Sequence, residues 1–108
     1  MALKRAKAGE VVDLRPLGSQ LKAAKTTAII KEESFETVRL IVRAGQVIPP
    51  HQVAGNITLH CLEGRVVLGL TDAEVELSVG DWIYLDGGEA HSVTGLEDSS
   101  LLLTILFK

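Results

Sequence analysis

His51 and His91 are the residues best suited to chemistry here, because an imidazole titrates near neutral pH, moves protons and ligates transition metals. Each stands in a glycine-punctuated frame. The first reads Gly45-Gln-Val-Ile-Pro-Pro-His51-Gln-Val53-Ala-Gly-Asn-Ile57 and runs on through Leu62-Glu63-Gly64. The second reads Gly80-Asp-Trp-Ile-Tyr-Leu-Asp86-Gly-Gly88-Glu-Ala-His91-Ser-Val-Thr-Gly95. A tight zinc site needs four ligands, or three and an open position, and a non-haem iron(II) centre needs two histidines and a carboxylate. Two imidazoles alone supply half of such a set. Glu89, on the loop before His91, is one further donor, although a Gly-Gly-Glu-Ala turn is also where an ordinary solvated carboxylate belongs. Cys61 sits between apolar neighbours with no cation to stabilise a thiolate, so it reads as a buried structural thiol.

The elements that must position these side chains are strands. β-Branched residues recur in short runs broken by Gly, Pro, Asp and Ser, which predicts strands near 27–31, 35–43, 48–53, 57–63, 66–70, 74–78, 82–85, 91–96 and 101–107. A helical turn is expected at 21–25. Alternation along 35–43 sets Val38, Leu40 and Val42 against Thr37, Arg39, Ile41 and Arg43, predicting one wet face. The same parity puts His60 opposite Ile57, Leu59 and Cys61, on an interface or outer surface. Trp82 and Tyr84 alternate on one strand; Trp82 reads as a core residue rather than a platform for a ligand, and Tyr84 as a core or interface residue. The runs 57–62, 66–70 and 101–107 are apolar on both faces, so a second layer must cover them. A homodimer is expected on this ground, the alternative being cover by the chain's own second sheet or N-terminal arm.

The 108 residues suffice for one domain. A net charge of −3 argues against a nucleic-acid surface, which needs a basic stripe. The cluster Lys4, Arg5 and Lys7 gives way to Gly9 and Glu10 rather than to an apolar run, so a flexible basic tail is expected over 1–9, with neither signal peptide nor membrane helix. A lone cysteine excludes an intrachain disulfide and points to the cytoplasm.

The two frames resemble the signature motifs of the cupin superfamily, G-x5-H-x-H-x3-E-x6-G and G-x5-P-x-G-x2-H-x3-N. The resemblance covers 45–64 and 80–95 directly, and the strand pattern extends it over nearly the whole chain. The fifteen residues between Gly64 and Gly80 look like the short intermotif segment of small microbial members. It implies an all-β, single-domain double-stranded β-helix, the jelly-roll barrel of RmlC-like cupins, over 10–108. Gly45, Gly64 and Gly80 would fall at strand ends and Gly88 would shape the turn before His91. The geometry of the family would bring His51 and His91 together in the barrel mouth. Of the four positions that such motifs offer to a metal, two are histidine here; Val53 and Ile57 occupy the others.

Three functions follow as expectations. The first is a pocket lined by His51, Val53, Ile57, Leu59 and His91 that binds a small molecule. The second is an enzyme of dioxygenase, isomerase or decarboxylase type, with Zn, Fe, Mn or Ni held weakly by His51 and His91, aided by Glu89 or water. The third is a degenerate member whose histidines are hydrogen-bonded core residues. Apolar neighbours would keep both rings neutral, so His51 and His91 are also candidates for metal-free general-base catalysis. Tyr84 is the one tyrosine that could serve as an acid in the manner of the deoxysugar epimerases.

Overall fold

The computed structural model describes residues 5–107. Nine strands form where β-branched runs are bounded by turn residues: β1 (Thr27–Lys31), β2 (Phe35–Val42), β3 (Val47–His51), β4 (Ile57–Glu63), β5 (Arg65–Gly69), β6 (Glu74–Ser78), β7 (Trp82–Leu85), β8 (His91–Gly95) and β9 (Ser99–Leu106). Each falls on an expected strand, with ends displaced by a residue or two. The expected helical turn is a 3-10 segment at Gly18–Ala23. Of the basic tail expected over 1–9, residues 1–4 lie outside the described residues. Ala6 N–H donates to the Ile29 carbonyl at 2.8 Å, beside β1.

The strands form two antiparallel sheets, β1-β2-β9-β4-β7 and β3-β8-β5-β6, packed as a jelly roll. Between them lies a core in which Leu59, Leu68 and Leu101 are fully enclosed. Each such side chain contributes about 2 kcal/mol by leaving water. β3 is an edge strand, hydrogen-bonded only to β8. Gly64 joins β4 to β5 with φ +84°, and a Cβ there would collide with Asp98 and Ser99, so only glycine fits.

Two register shifts re-aim side chains that parity alone would misplace. In β3, Ile48 pairs with Val93 but His51 pairs with His91, so two residues of β3, Pro49 and Pro50, stand against one of β8. Neither proline has an N–H to give to a ladder, which makes this an apt place for an irregularity. In β4, Cys61 pairs with Leu101 and Glu63 with Ser100. That shift turns Glu63 away from the core and onto the outer side of the five-stranded sheet.

The outer face of β2 is not wet as expected. Ile41 is 5% exposed, because residues 13–26 lie across it. Arg43 donates to the carbonyls of Lys22 and Ala24, Arg39 to that of Arg15, and Ile41 N–H to Thr26 Oγ1. Glu63 holds the segment from below, accepting from Leu17 N at 2.9 Å, Gly18 N at 3.2 Å and Ser100 Oγ at 2.7 Å. Alternation within β2 cannot reveal a cover supplied by a remote segment.

Candidate functional site

The register shift at Pro49-Pro50 brings the two histidines together. His91 and Val93 lie two apart on β8 and share its inward face. With the extra residue in β3, His51 meets His91 from that same side. The ring centroids stand 4.3 Å apart and the planes are tilted by 55°, a contact distance for two aromatic rings. His91 is buried, whereas His51 is exposed and stands at the rim.

Backbone carbonyls fix both rings. His91 Nδ1 lies 3.1 Å from Glu89 O, and His51 Nδ1 3.3 Å from Pro49 O. Burial pushes the pKa of His91 below the ordinary imidazole value. The Glu89 carbonyl opposes that shift, the facing His51 reinforces it, and the Glu89 carboxylate opposes it again. His91 is thus held toward its neutral form, where it can accept a proton or a hydrogen bond.

Beneath the rings lies a cavity of about 140 Å³, lined by Leu40, Ile48, Leu59, Val93 and Leu103 with the two histidines. Of the expected pocket residues, His51, Leu59 and His91 line it. Val53 and Ile57 do not: Ile57 is 2% exposed in the core between Leu85 and Ile105, and Val53 packs against that core from the turn after β3. The walls are displaced one row along the sheet. Leu40 and Leu103 carry the alternation signals of their strands and were open to detection as inward residues; Ile48 was hidden, because its shared face with His51 depends on the register shift. A larger trough of about 300 Å³ lies between residues 5–12 and β1 and shares no residue with the histidine site.

The remaining candidates lie elsewhere. The carboxylate of Glu89 accepts from Thr71 N at 3.0 Å, which ties it to the neighbouring loop. His60 faces outward opposite Trp82. Trp82, expected in the core, is 60% exposed on that outer face instead. Tyr84 lies beside it, with its hydroxyl donating to Asp86 at 2.9 Å, away from the cavity. Cys61 is fully buried, and burial pushes its thiol pKa up, as for an inert structural cysteine. Among the described residues no three His, Cys, Asp or Glu side chains converge. Two touching imidazoles with Glu89 engaged elsewhere do not fit the ligand shell of a zinc, iron, manganese or nickel centre.

No curated protein matches this sequence. Solved structures do match in fold. A cupin superfamily protein from Desulfitobacterium hafniense is 17% identical with a TM-score of 0.79, the match covering 100% of both chains. A conserved protein of unknown function from Streptococcus pyogenes is 16% identical with a TM-score of 0.78, covering 100% of this chain and 96% of that one. A predicted oxalate decarboxylase from Thermotoga maritima is 21% identical with a TM-score of 0.69, covering 77% and 79%. At these identities the likeness concerns the fold alone. The family model described as "Cupin domain" matches residues 38–107, which takes in both histidine frames and the strands that pair them. This chain belongs to the cupin family.

Proposed function

We propose that this protein is a small-molecule-binding cupin whose site is the cavity beneath His51 and His91. One observation carries the reading: a hydrocarbon-walled cavity of about 140 Å³ is capped by two imidazoles held by backbone carbonyls. Apolar walls with a few placed polar groups are the usual makeup of a ligand site. The test is a thermal-shift screen of small alcohols, phenols, sugars and carboxylates against the parent and His51→Ala. Ligands that stabilise the parent and lose their effect in the variant support the site, whereas identical responses in both proteins count against it. Elemental analysis after reconstitution with iron(II), zinc, manganese or nickel addresses the metal-dependent alternative. A metal content near one per chain would replace this proposal with that one.

The homodimer is part of the proposal. The outer surface of β4, β7 and β9 carries Trp82 and Tyr84 exposed, Trp82 in a row with His60 and Leu102 and Tyr84 in a row with Thr58 and Thr104. Residues 13–26 cover the β2 side of this sheet but leave the β7 side open. A second copy would cover what remains. The cytoplasm is the proposed compartment, supported by the single, buried and unbridged Cys61.

A further inference from the structure

The two imidazoles present a defined hydrogen-bonding face to the cavity. A carbonyl oxygen has no proton to give, so the bonds to Pro49 O and Glu89 O require each Nδ1 to carry the hydrogen. The neutral His91 ring then offers its Nε2 lone pair as an acceptor. Among the described residues, Arg39 Nε is the only sealed side-chain nitrogen or oxygen without a partner. His91 Nε2 has no partner within the described protein, so it is not sealed and opens to the cavity that its ring lines.

Every other wall is hydrocarbon, from Leu40, Ile48, Leu59, Val93 and Leu103. The cavity therefore meets the His91 acceptor and no side-chain donor. A carboxylate would set lone pairs against lone pairs and lose its hydration in an apolar enclosure. An ammonium ion has donors but meets the same loss of hydration. A neutral hydroxyl supplies the missing donor at little desolvation cost. The volume, about 140 Å³, is close to that of hydrocarbon cavities of about 150 Å³ that hold a benzene ring.

Given that the cavity is the binding site, as proposed above, we infer that it selects small neutral molecules by their hydrogen-bond donors. It takes a ring-sized alcohol or phenol and rejects carboxylates and donor-less isosteres of the same shape.

Three matched probes test this on the full chain near neutral pH: phenol, fluorobenzene, in which fluorine replaces the hydroxyl, and benzoate. Binding is read from proton–nitrogen correlation spectra. Phenol is expected to bind about tenfold more tightly than fluorobenzene, the worth of one net hydrogen bond, and benzoate more weakly than either. Imidazole nitrogen shifts are expected to show both histidines in the Nδ1–H form. Equal affinities for phenol and fluorobenzene, tighter binding of benzoate, or either ring in the Nε2–H form would overturn donor selection. If fluorobenzene still perturbs Leu59 and Val93 in that case, the binding cavity itself stands. If none of the three probes perturbs those residues, both the inference and the binding-site proposal fail. His91→Phe is expected to abolish the preference for phenol, and a variant that keeps the tenfold difference refutes the role of the ring. Should that variant not fold, the comparison of probes on the unaltered chain decides the matter alone.

Discussion

Burying an imidazole makes stability depend on pH, and His91, 4% exposed, is the residue where this is expected. Its pKa is depressed in the fold, first by burial and then by the facing His51, against the opposing carbonyl and carboxylate of Glu89. The unfolded chain therefore takes up this proton at a higher pH than the folded one. The resulting stability is full above about pH 6.5, is lost progressively as pH falls below it, and levels off only beneath the lower folded pKa. The denaturant midpoint should be flat between about pH 8 and 7 and decline from about 6.5 downward. His91→Gln should lack that decline, so that the difference between the two proteins changes as pH falls below about 6.5, and parallel curves for parent and variant would contradict the account. His51 and His91 were legible as a pair from their frames. The placement of Glu89 was not, because a carboxylate on a turn gives no sign in sequence of which backbone amide it will accept from.

At the scale of elements, the register step in β3 lets His51 share the inward face with Ile48 although the two are three residues apart. Deleting Pro50 should set Pro49 alone against Ser92 and give ordinary alternation, in which the imidazole still pairs with His91 on the inward face it shares with Ile48. Guest binding is then expected to survive the deletion; a variant that keeps its sheets and loses its ligand would show that the irregular step itself shapes the site. The second shift has a different task. It sets Glu63 against Leu17 N, Gly18 N, Ser100 and Arg39, the last at 3.5 Å with both side chains 12% exposed. Burial works to raise the Glu63 pKa, but the amides of Leu17 and Gly18, the Ser100 hydroxyl and Arg39 outweigh it and hold the carboxyl below its ordinary value. Its contribution is present above the unfolded pKa of about 4.3 and is lost as pH falls through the lower folded value. Glu63→Ala strands the Arg39 guanidinium, whose Nε already lacks a partner, and should cost about 3 kcal/mol. Denaturant titration measures the cost, and faster hydrogen exchange at Leu17 and Gly18 locates it; unchanged exchange there would refute the clamp. The strands themselves were readable, since β-branched runs and turn residues are local signals. Neither shift was, because a register belongs to two strands at once.

At the scale of the whole molecule, the runs 57–62, 66–70 and 101–107 were expected to need a covering layer, whereas the cover in the structure lies on β2. Residues 13–26 shield Ile41 and Arg39, and a second copy is proposed for the surface around Trp82. A stable dimer needs about 800 Å² from each partner, so Trp82→Glu at the centre of the patch should yield monomers. Sedimentation at micromolar chain would show it, and a parent already monomeric there would refute the dimer. The jelly roll was legible because two motif frames and nine punctuated strands agree, whereas the cover on β2 was invisible because it arrives from more than a dozen residues upstream. One further consequence follows from the edge position of β3. An open strand margin is a template onto which a foreign chain can zip, as in amyloid growth. Pro49 and Pro50 have no N–H to give, which leaves the strand short of ladder donors there. The dipeptide at the step that keeps His51 inward thereby also makes this sheet margin a poor template for self-association.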